Sequence, residues 1–110
     1  MQYTVEYFNE RVRDDVESWP VGVLADYLRL VELLIEYGPE LRMPHSRSLG
    51  SGLFELRPSG HEGTGRALYC FLVDRRIVVL HAFIKKTATA PRRDLAIARR
   101  RMKEVRDART

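Results

Sequence analysis

Two apolar runs, "RALYCFLV" at 66–73 and "RIVVLHAFI" at 76–84, are separated only by Asp74 and Arg75. Both are short and rich in β-branched and aromatic residues, so both read as strands. A two-residue connection leaves no room for a crossover, and the pair has to be an antiparallel hairpin. Any fold for this chain is therefore built around an antiparallel sheet.

The rest of the chain extends that hairpin. "LFELR" (53–57) is a third strand, joined through the Gly-rich loop "PSGHEGTG" (58–65) to make a meander. Upstream, "YTVEYF" (3–8) reads as a strand, and Asn9 caps a helix over 10–19 with Val12, Val16 and Trp19 on one face. From Val21 to Tyr37, Leu24, Tyr27, Leu28, Val31, Leu34 and Ile35 form an apolar stripe that Gly38 and Pro39 end. "ELRMPHSRSLGSG" (40–52) reads as a loop. Pro91 opens a last helix whose Leu95, Ala98, Met102 and Val105 share a face. The order β–α–α–β–β–β–α predicts an α+β fold: an N-terminal strand and α-hairpin, a three-stranded antiparallel meander, and a C-terminal helix. The helices are expected on one face of the sheet, leaving the other open. With no long linker in 110 residues, a single domain over 1–110 is expected.

Composition narrows the class. Charged residues at 31% beside 45% hydrophobic ones describe a folded globular chain rather than a disordered one. No apolar run approaches the roughly 20 residues that span a bilayer. The start, "MQYTVEYFNERVRDD", lacks the cationic and apolar segments of a secretory signal. The lone Cys70 has no disulfide partner. A cytoplasmic chain with no membrane partner is the expectation. His45, His61 and His81 lack a ligand spacing, so neither a metal site nor a cofactor is expected.

Charge is divided unevenly. Residues 1–40 carry three arginines against nine acids, a net of −6, and residues 41–110 carry sixteen basic residues against six acids, a net of +10. An electropositive surface on the second part suits a polyanion. Alternation sends Phe54 and Leu56 to the core and leaves Glu55 and Arg57 facing outward. It likewise sends Val78, Leu80, Ala82 and Ile84 to the helices and puts Ile77, Val79, His81, Phe83 and Lys85 on the open face. Strict alternation sets Arg66 opposite Tyr69, whereas a bulge near Gly65 would bring them together. A basic groove can be assembled from Arg57, Arg66, Lys85 and Lys86 with Phe83 and Tyr69 interleaved. Cations there track phosphates while a ring stacks a base. The plainer reading also stands: edge lysines block sheet-to-sheet association, and the arginines pair with Glu55 or Glu62.

"GLFELR", "GRALY", "IVVLHAFIKKTATAP" and "DLAIARRRM", in that order over 53–101, resemble the RelE/HigB superfamily of bacterial toxin endoribonucleases, in particular its phage-related HigB-like branch. The hairpin over 3–38 agrees more loosely. "HEGTG" lengthens the loop before Arg66, and Ala82 stands where relatives often have glycine. The resemblance implies a toxin that cleaves mRNA on the ribosome and is restrained by an antitoxin of the helix-turn-helix, HigA-like kind. DNA would be reached only through that antitoxin.

The chemistry so implied drives the ribose 2′-OH onto the adjacent phosphorus without a metal. Arg57 and Arg66 are the expected stabilisers of the phosphorane-like transition state. Lys86, Glu55 and His81 compete as proton carriers, and Glu55 has the alternative role of orienting Arg57. Lys85 is expected to anchor phosphate, and Thr87 to donate to phosphate or cap a turn. Arg92 and Arg93 begin a basic run in the last helix that suits RNA, an acidic antitoxin surface, or plain solvation. A non-catalytic RNA-binding or regulatory module on the same fold is the alternative function, and a groove serving mainly the antitoxin is a third.

Overall fold

Asp74 and Arg75 both adopt left-handed backbone angles, with φ of 63° and 58°, the conformation that tight hairpin turns use. The computed structural model describes residues 2–86 and 91–108. In chain order these form β1 (Thr4–Tyr7), α1 (Glu10–Glu17), α2 (Val21–Tyr37), a 3-10 turn (Gly38–Glu40), β2 (Ser46–Gly50), β3 (Leu53–Leu56), β4 (Ser59–Gly60), β5 (Gly63–Leu72), β6 (Arg76–Lys85) and α3 (Arg92–Ala108). The sheet order is β1-β6-β5-β3-β2, with β4 pairing β5. β1 runs parallel to β6, and the other pairs are antiparallel.

Local signals place the helices as expected. The Asn9 side chain accepts a hydrogen bond from Val12 N at 3.0 Å and starts α1. Gly38, at φ 54°, ends α2 in a conformation that favours glycine, with the Tyr3 ring where a Cβ would sit. β2 is a departure: it lies inside the stretch expected to be a loop. The turn that folds it back onto β3 has positive φ at Gly50, Ser51 and Gly52.

The larger correction concerns the faces of the sheet. Helices cover both. On one side Val12, Val16, Trp19, Val23, Tyr27, Leu30 and Leu34 pack on Leu56, Ala67, Tyr69, Ile77, Val79 and Ala82. On the other, Ala98 and Met102 of α3 pack on Leu53, Leu68, Cys70, Leu72, Val78 and Leu80. The reason is visible in β5 and β6, whose centres are apolar at successive positions rather than alternately. That is the pattern of a strand buried on both sides.

A bulge in β6 explains a second difference. Tyr69 pairs with Val79 but Leu68 pairs with His81, so Leu80 is an extra residue. Leu80 and His81 then both lean toward α3, and the alternation changes phase. Ile77 and Val79, expected on an open face, are buried under the α1–α2 hairpin together with Ala82, while Val78 and Leu80 face α3. Arg101 Nη1 donates to the Leu80 carbonyl at 2.8 Å, giving the bulge's backbone a partner.

Gly65 marks where the hairpin presses on β5. A Cβ there would lie 3.0 Å from two Trp19 ring carbons and 3.2 Å from Val23 Cγ1. Gly65→Ala is expected to destabilise the fold by about 1–3 kcal/mol through overpacking, measured by urea denaturation. A variant as stable as wild type would contradict this packing.

Candidate functional site

α3 covers its face of the sheet only in part. Beyond its first turn lies a cleft of about 150 Å³ lined by Arg47, Leu49, Glu55, Arg57, Arg66, Leu68, Phe83, Lys85, Pro91 and Leu95. A larger depression, about 320 Å³, sits at the other end of α3. Its charged groups, Arg76 and Glu6, satisfy each other through hydrogen bonds of 2.6 and 2.9 Å. The smaller cleft is where charge is left over.

Glu55 organises it. Its place in β3, between Phe54 and Leu56 of the hairpin-side core, turns its carboxylate to the α3 side. Oε1 accepts from Arg57 Nη1 at 2.7 Å, and Oε2 stands 3.7 Å from Arg66 Nε. Arg66 Nη1 donates to the Gly65 carbonyl at 2.7 Å. The Arg66 side chain is only 8% exposed. Burial holds its pKa below the usual guanidinium range; Glu55 opposes that shift, and Arg57 and Arg47 add to it. A guanidinium stays charged nonetheless. Arg47, Arg57, Arg66 and Lys85 thus face a single lining carboxylate. Such an arrangement can bind an anion: planar donors stand in a partly dry recess, with more positive charge than Glu55 neutralises.

The sequence expectation and the structure meet at Glu55, Arg57, Arg66, Phe83 and Lys85, all of which line the cleft. Arg66 and Phe83 are cross-strand neighbours on β5 and β6. Tyr69 is a correction. It points to the opposite face, as strict alternation requires, and is 1% exposed. Its hydroxyl shares a 2.6 Å hydrogen bond with Ser46 Oγ, its ring stacks on Phe54, and burial pushes the phenol up to about 12. Sealed in this way, it cannot stack a base. His81 sits beside the cleft rather than lining it, with Nε2 2.6 Å from Asp94 Oδ1 and its ring 5.7 Å from Phe83.

Lys86 is exposed just past β6, and Arg92 and Arg93 are exposed in the first turn of α3; none lines the cleft. Thr87 lies outside the described residues. Part of the basic run of α3 turns out to fasten the helix to the sheet: Arg99 donates to the Leu49 carbonyl at 3.0 Å, and Arg101 lies over the Phe8 ring at 4.8 Å. The residues missed from sequence are Arg47 and Leu49, both on the unexpected β2. The available signal was the "GSG" turn after them, which folds "RSL" back onto "LFE". Among the described residues no group of three or more His, Cys, Asp or Glu could hold a metal ion, and no helix is long and apolar enough to cross a membrane.

The family model described as "Phage derived protein Gp49-like" matches residues 14–103. No curated protein matches the chain. Among solved structures, a chain of the archaeal RelE-RelB complex from Pyrococcus horikoshii OT3 is similar with a TM-score of 0.57 and 22% identity, over 80% of this chain and 100% of that one. At that identity the likeness is one of fold.

The charge arrangement makes an asymmetric prediction about stability. Glu55→Ala leaves two inward guanidiniums without a counter-charge and is expected to cost about 3 kcal/mol or more. Arg66→Met leaves Glu55 still paired with Arg57 and is expected to cost under about 1 kcal/mol. Urea denaturation of the two variants checks the order; the reverse order would contradict it.

Proposed function

The chain belongs to the Phage derived protein Gp49-like family, and from that premise and its RelE-like fold we propose that it is a RelE-like toxin of a type II toxin–antitoxin pair, an endoribonuclease that cleaves mRNA. The observation that carries the proposal is the Glu55-braced pair of half-buried Arg57 and buried Arg66 at the centre of a cleft with surplus positive charge.

In this reading the scissile phosphate enters the cleft and its non-bridging oxygens accept from Arg57 and Arg66. The 2′-oxygen loses its proton and bonds to phosphorus, the bond from phosphorus to the 5′-oxygen breaks, and the 5′-oxygen takes up a proton. The products are a cyclic phosphate and a free 5′-OH. Negative charge grows on the phosphoryl oxygens as the new bond forms. Donors already held by Glu55 and the Gly65 carbonyl need no reorganisation at that moment, which is where electrostatic catalysis is strongest. Both Glu55 oxygens face guanidiniums, so its role here is to orient them. Lys85 anchors phosphate and Phe83 offers a face to a base. His81, braced by Asp94, and Lys86 stand at the margins as the proton carriers. The ribosome supplies the remaining orientation of the message.

The partner that restrains such a toxin would be a helix-turn-helix, HigA-like antitoxin presenting acidic residues to the same cleft, with DNA contacted only by the antitoxin. The setting is cytoplasmic. Brief induction of the wild-type chain is expected to arrest growth and create new transcript ends, mapped by primer extension. Arg57→Ala and Arg66→Ala are each expected to lower cleavage about 10²–10³-fold. A double variant that remains fully toxic would remove the proposed site, and RNA binding without new ends would favour a non-catalytic module.

A further inference from the structure

Arg47 differs from the other arginines of the cleft. Arg57 is held by Glu55, and Arg66 by Glu55 and a backbone carbonyl. Arg47 is the cross-strand neighbour of Glu55, yet both carboxylate oxygens are turned to Arg57 and Arg66. Among the described residues Arg47 has no carboxylate or carbonyl partner. It is exposed and sits on β2, the edge of the sheet.

Strand register fixes where it stands relative to the other cations. Lys85 is opposite Thr64, Arg66 opposite Phe83, and Arg47 on the level of Glu55, Leu68 and His81. From Lys85 to Arg47 the sheet is crossed by three strand spacings, about 14 Å, and descended by four residues, about 13 Å. The cations therefore form a diagonal about 19 Å long between backbone positions, with Arg66 and Arg57 at its middle. A strand with several phosphates matches a row of that length along its whole extent, whereas one phosphate reaches both ends only if both side chains stretch fully toward it. Beyond Arg47 a second depression of about 340 Å³ opens on the other side of β2, and Arg47, Arg42, Met43 and Phe54 are among its walls. Arg47 is the cation common to both recesses.

The geometry points to Arg47 as the anchor for the phosphate next to the scissile one, at the place where single-stranded RNA leaves the cleft over the edge of β2. The inference rests on reading the cleft as a ribonuclease site. It assigns Arg47 to binding rather than to the reacting atoms: the central arginines meet the bond that breaks, and Arg47 holds the strand that carries it.

The test uses the full chain and a labelled single-stranded RNA of mixed sequence, 2′-O-methylated throughout so that it cannot be cut. Arg47→Ala is expected to weaken binding about 10-fold at low salt and to flatten the slope of log affinity against log salt by about 0.7, the loss of one phosphate contact. Arg47→Lys restores most of both, and Arg29→Ala, on the far hairpin and paired with Asp26, changes neither. On ribosomes carrying an unmodified message, Arg47→Ala raises KM with kcat retained. An unchanged affinity and slope, or a loss confined to kcat, overturns the assignment, as does a wild-type chain that does not bind the modified RNA. A wild-type chain that binds it with the Arg47-dependent slope but cuts no message overturns the ribonuclease reading alone and supports the anchoring role.

Discussion

A guanidinium buried beside one carboxylate, with further cations around them, is the constraint on which the site depends. Arg66 loses most of its hydration, its ion-pair partner stands 3.7 Å away rather than in close contact, and that partner is shared with Arg57. Burial of this kind is weak as a source of stability, because desolvation offsets much of the attraction. Such an arrangement makes physical sense where the missing negative charge comes from a ligand. In the proposed reading an incoming phosphate supplies what Glu55 alone cannot.

The architecture serves this constraint by covering the sheet unevenly. The α1–α2 hairpin seals one face completely enough that Tyr27 and Tyr69 are both 1% exposed. On the other face α3 has only a narrow apolar side, and arginines bonded to backbone carbonyls do part of the work of docking it. Where α3 begins, at Pro91 and Leu95, coverage ends and the charged ends of β3, β5 and β6 are left facing a recess. The bulge at Leu80 contributes by keeping His81, Phe83 and Lys85 on that side while Ala82 stays in the hairpin core.

Much of this was legible in the sequence, for identifiable reasons. Helix caps and the two-residue turn act over a few residues, so Asn9, Gly38 and Asp74–Arg75 gave sound boundaries. The convergence of Glu55, Arg57, Arg66, Phe83 and Lys85 followed from period-two alternation near the strand ends, beyond the bulge. What failed was non-local. Coverage of both faces depends on where α3 docks, and only the unbroken apolar runs of β5 and β6 hinted at it. β2 leaves little trace in the sequence because "SRSLG" carries little apolar signal; it is held by pairing with β3, and Arg47 goes with it. Tyr69 belongs to the hairpin core because the irregularity lies not near Gly65 but farther along, opposite the Leu68–Tyr69 step. The basic run of α3 read as surface charge because a backbone carbonyl leaves no mark in a sequence.

Charge separation completes the account. Seven of the nine acids of residues 1–40 lie on α1 and α2, and many basic residues of 41–108 lie in the cleft and on α3; in the proposed reading this guides a polyanion to one side of the molecule. The most direct measurement is a crystal structure with an RNA bearing a single 2′-deoxy substitution at the cut position. The account predicts that the phosphate following it lies about 2.7–2.9 Å from nitrogens of both Arg57 and Arg66. An RNA bound along the outer face of α3, with the cleft empty, would contradict it.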